Sequence, residues 1–468
     1  MASKLENPLK AMVGNGKKLH IAMFPWLAFG HIIPFIEYSK FLAQKGHKIT
    51  FISTPKNIDR LPKIPPNLAS SITLLKLSLP QVDGLPPNAE ATMDVHTDDI
   101  PFLKKACDGL EPELTRFLEN SVPDLIISDF TSYWLPEITS RLGISLGFFC
   151  IFNAWFLCFF GTTDMMVNGT DPRKKPEDFT VPAKWVPFEN TVAYRPFEAN
   201  WMMESGKKNV SGVSDIFRAG KLISGCDFIL IRHCREFEGD WLDVMKELHQ
   251  KPIIPLGLMP PEAHMNRDNQ TNDSWVSINT WLESQNKGSV LYIALGSEVA
   301  LSQNELSELA LGLELSCVPF FWVLRKPAGS KNPIDLPEGF EERIEGRGLI
   351  WKSWAPQLNI LSHESVGGFL THCGWSSTIE GLMLGHPLIM LPFLVDQGLN
   401  ARVLVDKKVG LEVPRDELNG SYSSNSVAET VKLIMVEDEG KIYKEKAKEM
   451  SRIFADRELH QKYLENSI

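Results

Sequence analysis

The sequence predicts an α/β protein of two doubly wound halves, and three observations carry that expectation. Apolar strand runs alternate with helical patterns, as they do where helices cover both faces of a parallel sheet. The alternation stops near Trp275 and then starts afresh. Between the two series lies Leu258–Asp273, LMPPEAHMNRDNQTND, whose Pro, Asn and Asp content reads as a linker. At 468 residues the chain is long for one domain and ordinary for two.

In the first half, LHIAMFP (Leu19–Pro25) is an apolar strand, followed by a turn holding Gly30 and His31. IIPFIEYSKFLAQKG then has helical spacing and closes on Gly46. HKITFIST (His47–Thr54) is a β-branched strand, and SITLLKL, PDLIISDF (Pro123–Phe130) and ISLGFFCI continue the series. After the linker, SINTWLESQ is a short helix, SVLYIALGS (Ser289–Ser297) a buried strand and NELSELALGLELS a helix. FFWVLR, GLIWKSW, VGGFLTH and PLIMLPF are further strands, while KNPIDLPEGFEERIEGR reads as a loop with a short helix. The tail SVAETVKLIMVEDEGKIYKEKAKEMSRIFA reads as amphipathic helix with i,i+4 charge pairs. Doubly wound halves bind ligands at the carboxyl ends of their strands. Gly30–His31, Asp129 and Gly296–Ser297 all fall at such ends.

Composition narrows the partners. With 43% hydrophobic and 23% charged residues there is enough apolar material for two cores. A net charge of −10 lacks the basic footprint of a nucleic-acid binder. It leaves room for a diphosphate, which helix N-termini hold without lysines. Seven cysteines, an odd count with no CxxC pair, favour a reducing compartment over a disulfide framework or a zinc site. The segment MASKLENPLKAMVGNGKK lacks the apolar centre of a signal peptide, and no run approaches the ~18 apolar residues of a membrane span. The expectation is a cytoplasmic, monomeric protein with no bound metal or cofactor.

Residues Trp354 to Gln397, WAPQLNILSHESVGGFLTHCGWSSTIEGLMLGHPLIMLPFLVDQ, are the most informative stretch. A core strand and helix would account for VGGFL and GLMLGHPLIMLPF, and a packed turn for HCGW alone. Core packing does not ask for Glu380 and Asp396 beside such segments, because buried carboxylates need partners. A nucleotide sugar supplies them. The Trp354 indole suits a base, the helix opened by THCGWSST suits a diphosphate, Glu380 suits ribose hydroxyls, and Asp396–Gln397 suit a hexose.

This run resembles the plant secondary product glycosyltransferase box of family-1 UDP-sugar transferases, and FPWLAFGHIIPFIEYSKFLAQKGHKITFIST resembles that family's N-terminal signature. The resemblance implies the GT-B fold, two doubly wound, Rossmann-like domains facing a cleft. Residues 1–257 would bind the acceptor, 258–275 link the domains, 276–448 bind the UDP-sugar, and 449–468 form a helix packing back on the first domain. It implies an inverting transfer with His31 as base and Asp129 as its orienting carboxylate. Chemically, a histidine titrates near working pH, and a carboxylate on its far nitrogen fixes the tautomer. Asp124 is the rival carboxylate, but it precedes its strand and should lie at the wrong end.

For the leaving diphosphate the chain offers no DxD motif, so dipoles and neutral side chains must meet the charge. Ser297, His372, the backbone at Gly374, and Ser376 and Ser377 are the natural set. The resemblance puts Trp354 and the Ala355 backbone at uracil, Gln357 and Glu380 at ribose, and Trp375, Asp396 and Gln397 against the sugar. It also puts Asn153 at a sugar contact. Ser376 is a departure, since the family most often has Asn there, and the contact should be shorter or water-mediated.

GFFCIFNAWFLCFFG (Gly147–Gly161) reads as core or as the wall of a cleft for a hydrophobic acceptor. WLAFGH, ALGSE at Glu298 and GHPLIMLPF resemble the branch that adds sugar to a flavonoid, triterpenoid or steroid glycoside. UDP-glucose and UDP-rhamnose are both open as donors, and transfer to an aglycone hydroxyl is the alternative. A nucleotide-sugar binder without catalysis would need neither His31 nor Asp129. A dinucleotide oxidoreductase would need GxGxxG after a strand, whereas Gly14-Asn-Gly16 precedes the first one.

Overall fold

The computed structural model describes residues 7–14, 16–261, 273–326 and 334–468. Most of the expected linker, residues 262–272, lies outside the described residues.

Seven strands build the first sheet: β1 (His20–Phe24), β2 (Lys48–Ser53), β3 (Ile72–Lys76), β4 (Leu125–Ser128), β5 (Ser145–Cys150), β6 (Phe228–Ile231) and β7 (Ile253–Pro255). They lie in the order β3-β2-β1-β4-β5-β6-β7, every pair parallel. The second sheet holds β8 (Val290–Ala294), β9 (Phe320–Val323), β10 (Gly348–Trp351), β11 (Val366–Thr371), β12 (Leu388–Met390) and β13 (Gly410–Glu412). Its order is β10-β9-β8-β11-β12-β13, again parallel. The inner strands are nearly continuous apolar runs because helices bury both faces, whereas the edge strand β3 is largely exposed.

Each sheet winds outward from its first strand, then restarts on that strand's other side. The switch points lie between β1 and β4 and between β8 and β11, where diverging loops open a crevice. Phe24 pairs with Ser128 and Ala294 with Thr371, so each couple of strands ends level. The segments leading to His31 and Asp129 therefore emerge side by side, as do those carrying Ser297 and His372.

Among the helices, α1 (Phe29–Gln44) follows β1, and α2 (Ala154–Phe159) follows β5. In the second half, α3 (Trp375–Met383) follows β11 and α4 (Gln397–Asp406) follows β12. The tail run expected as amphipathic helix, residues 426–455, is two helices, Ser424–Met435 and α5 (Lys441–Phe454), and a further helix, α6 (Arg457–Ser467), follows them. Gly440 packs so closely on the first that a Cβ there would fall 2.0 Å from the Leu433 carbonyl oxygen. Asp456 caps α6 by accepting from the Leu459 N–H at 2.9 Å. That last helix returns to the first sheet, where the Ser467 hydroxyl meets Tyr38 Oη at 3.0 Å and His460 Nδ1 accepts from the Leu258 N–H at 3.2 Å.

Gly147–Gly161 is mostly core rather than cleft wall, for every residue of α2 is buried. Its Trp155 meets Trp375 edge-on at 5.3 Å, and Phe237 and Phe454 close the cluster. One apolar core thus joins the two halves. Ile151 and Phe152 are the half-buried residues of the run, and Phe152 lies edge-on to the His31 ring at 5.5 Å.

Candidate active site

His31, expected in the turn before the helix, lies in the first turn of α1, because α1 begins at Phe29, three residues before the expected start at Ile32. Its Nδ1 is 2.6 Å from Asp129 Oδ2, with both residues buried. The same carboxylate accepts the Trp26 N–H at 3.2 Å and the Phe130 N–H at 2.7 Å. Three hydrogen-bond partners thus converge on one carboxylate. An ionised Asp129 in turn fixes the proton on Nδ1 and leaves the lone pair on Nε2. Asp124 sits at the opposite end of the sheet, accepting from Lys17 and the His20 N–H.

On the facing half, α3 opens at Gly374 with no side-chain cap, so its first-turn N–H groups are free for an anion. The turn before it is strained: Cys373, a buried non-glycine residue, has φ +66°. Such a conformation costs of order 1–3 kcal/mol and persists where surroundings impose it. His372 is wedged between glycines, since a Cβ on Gly296 or Gly374 would fall 2.7 or 2.5 Å from its Nε2. Burial pushes its pKa down to about 4, so it is neutral at pH 7 and offers a hydrogen bond rather than charge.

The ribose end is preassembled. Gln357 Nε2 donates to Glu380 Oε2 at 2.6 Å and lies 3.4 Å from Ser377 Oγ, while Tyr292 Oη donates to Gln357 Oε1 at 3.2 Å. Burial raises the Glu380 pKa, so the carboxyl gains from partners such as vicinal hydroxyls. Trp354 is 60% exposed, unusual for a tryptophan, with half-buried Ala355 beside it. Ser297 is exposed at the end of β8, and its neighbour Glu298 accepts from Thr92 Oγ1 of the first half at 2.6 Å.

Four of the expected side chains are already engaged by partners within the protein. The Trp375 indole does not face the cleft; it is buried between the halves and donates to the Arg232 carbonyl at 3.0 Å, leaving only its backbone N–H toward a ligand. The Ser376 hydroxyl accepts from Arg232 Nη1 at 2.7 Å, so it is already engaged. Gln397 turns its amide oxygen onto the Phe393 and Leu394 N–H groups, both at 2.9 Å, which leaves Nε2 alone for a hydroxyl. Asn153 is fully buried as the cap of α2 and donates to Asn400 Oδ1.

Asp396 is buried, and that burial raises its pKa to about 6, offset in part by Asn400. His31 of the first half and Glu298 of its own half also act on Asp396 electrostatically. Asn400 and Arg232 were not singled out from the sequence. Asn400 follows Asp396 at i+4, a spacing that brings side chains together on a helix and was open to reading. Arg232 belongs to a distant strand end with no local motif.

Among the described residues, no helix is long and apolar enough to cross a membrane, and all seven cysteines are free, Cys317 alone exposed.

Residues 261–463 match the family model described as UDP-glucoronosyl and UDP-glucosyl transferase. The chain is 50% identical to UDP-glycosyltransferase 91D2 of Stevia rebaudiana over 457 residues, covering 97% of this chain and 95% of that protein. It is 43% identical to soyasaponin III rhamnosyltransferase of Glycine max, covering 97% and 95%. A crystal structure of Glycyrrhiza uralensis UGT73P12 with glycyrrhetinic acid 3-O-monoglucuronide superposes with a TM-score of 0.76 at 21% identity, covering 96% of this chain and 95% of that one. The shared arrangement is the GT-B fold.

Proposed function

Because the chain belongs to the plant UDP-glycosyltransferases, we propose that it moves a hexose, with inversion and without a metal ion, to a hydroxyl of a plant specialised metabolite. The acceptor hydroxyl loses its proton to His31 Nε2, and its oxygen attacks the anomeric carbon from the face opposite the diphosphate. The bond to the diphosphate breaks, UDP leaves with the electron pair, and Asp129 stabilises the imidazolium. A single base with one displacement gives inversion. The first turn of α3, Ser377, Ser297 and neutral His372 meet the charge on the leaving diphosphate. Trp354 and Ala355 hold uracil, Gln357 and Glu380 hold ribose, and Asp396 with Gln397 Nε2 hold the sugar. Residues 1–257 would bind the acceptor and 276–448 the donor.

The observation that carries this reading is the 2.6 Å contact between His31 and Asp129 at one switch point, facing the uncapped α3 at the other. The acceptor is proposed to be a glycoside, extended at one of its sugar hydroxyls. Support comes from the place where Thr92, His96 and Thr97 of the first half meet Ser297 and Glu298 of the second, bringing polar groups together beside Val95, Ile100, Val299 and Ala300. Transfer directly to an aglycone is favoured by one feature, the Phe130 and Phe152 rings packed on His31.

A screen of UDP-glucose and UDP-rhamnose against paired glycosides and aglycones, read by mass spectrometry, tests the proposal. Product from glycosides with excess EDTA present is the expected result. Turnover confined to aglycones would overturn the acceptor assignment, and turnover stopped by chelator and restored by Mn²⁺ would overturn the metal-free account.

A further inference from the structure

Arg232 stands immediately after β6 and is 6% exposed. Its Nε donates to the Leu258 carbonyl at 2.7 Å, Nη2 to the Met259 carbonyl at 3.1 Å, and Nη1 to Ser376 Oγ at 2.7 Å. A guanidinium carries five N–H groups, so one on each terminal nitrogen has no assigned acceptor. No carboxylate among the described residues forms an ion pair with it. Among the described residues, Glu380 alone acts on its charge, and from beyond contact. Burial lowers its pKa to about 10, which still leaves it cationic at pH 7.

The location sharpens the problem. Ser376 is the second residue of α3, so the guanidinium lies within roughly 6 Å of the first-turn N–H groups, at the positive end of the helix dipole. A buried cation needs an anion, and a helix N-terminus repels cations. Contacts to two carbonyls and a hydroxyl satisfy hydrogen bonds without neutralising charge. An anion at the start of α3 relieves both penalties at once, pairing with the cation and with the helix.

We infer that Arg232 brings the positive charge of the N-terminal half to the diphosphate of the donor. It tightens the grip on UDP and stabilises the charge that gathers there as the sugar departs. This rests on the reading of α3 as the diphosphate seat. Arg232 is a positioning residue that acts across Ser376, whose short side chain leaves room for the guanidinium. Because the same side chain holds Leu258 and Met259, where the chain leaves the first half, it also ties the crossover to the occupied seat.

Calorimetric titration of the full chain with UDP and with uridine separates charge from scaffolding. In Arg232→Met, UDP affinity should fall roughly tenfold or more while uridine binding holds, since uridine has no phosphate. Arg232→Lys keeps the charge and should preserve most of the wild-type preference for UDP over uridine. Unchanged UDP binding by Arg232→Met, or an equal loss for both ligands, would overturn the inference and leave a crossover clamp. If the Met variant does not fold, Arg232→Lys decides: a retained preference supports the role and a collapsed one overturns it. A wild-type chain binding UDP no tighter than uridine would overturn the diphosphate seat as well.

Discussion

The side-chain amide of Asn400 donates to Asp396 Oδ2 at 2.7 Å, one turn along α4. The same amide donates to the Cys373 carbonyl at 2.9 Å, and its oxygen accepts from Asn153 and from the Trp155 indole of the other half. One fully buried residue therefore aims the carboxylate proposed to hold the sugar, braces the strained turn before α3, and joins the two domains. Asn400→Ala should depress transfer by about 1–3 kcal/mol, the cost of stranding buried hydrogen-bond partners. UDP affinity should change much less. Turnover and UDP calorimetry on the same preparation check this, and equal losses in both would make Asn400 a folding residue only.

Asp396 itself makes a pH prediction. Its pKa rises from the ordinary 3.8 to about 6 because the charged form is buried. A carboxyl with a raised folded-state pKa contributes stability that is fully present below its unfolded value and lost as pH climbs through the folded one. Asp396→Asn is neutral throughout. Its melting temperature should therefore gain on wild type between pH 4 and about 6 and hold a constant offset above. An offset that does not move with pH would show that the carboxyl is not desolvated.

The catalytic pair gives the third test. His31→Ala should lower transfer by ~10²–10⁴-fold while UDP binding stays close to wild type. Asp129→Asn should be impaired with its fold intact, because an amide oxygen at the same place loses the charge that stabilises the imidazolium. Near-normal turnover in His31→Ala would assign the base elsewhere.

The fold was legible where apolar runs were long and bounded by turn residues, as at β1, β2, β4, β8 and β11. It was not legible at β7 and β13, three residues each, whose strand state comes from pairing with neighbours rather than from pattern. The break at Gly440 was hidden because it answers a close approach to Leu433, a tertiary demand. Within the box, residue types pointed to a nucleotide sugar but not to side-chain direction. Trp375 and Trp354 are both tryptophans beside the same motif, yet the indole of one fills the core between the halves and that of the other stands in the open. Periodicity does not distinguish them, since the choice depends on Trp155 and Phe237, brought from another domain. Arg232 shows the same limit more strongly.

The division of the box into a nucleotide end and a sugar end makes the last prediction. Glu380 is tied to Gln357, whose other neighbours are Ser377 and Tyr292, so Glu380→Ala should weaken UDP and UDP-sugar alike. For the sugar end, Gln397→Ala is a poor probe because it also removes the oxygen that holds the Phe393 and Leu394 N–H groups. Gln397→Glu keeps an acceptor there and removes the one donor left for a sugar hydroxyl. It should lower transfer by about 1–3 kcal/mol, the usual range for a lost buried hydrogen bond. UDP binding should hold, because UDP lacks the hexose that Nε2 would reach. Calorimetry with UDP beside turnover in both variants decides the matter: if Gln397→Glu lost UDP affinity as badly as Glu380→Ala, the two ends of the box could not be separate sites.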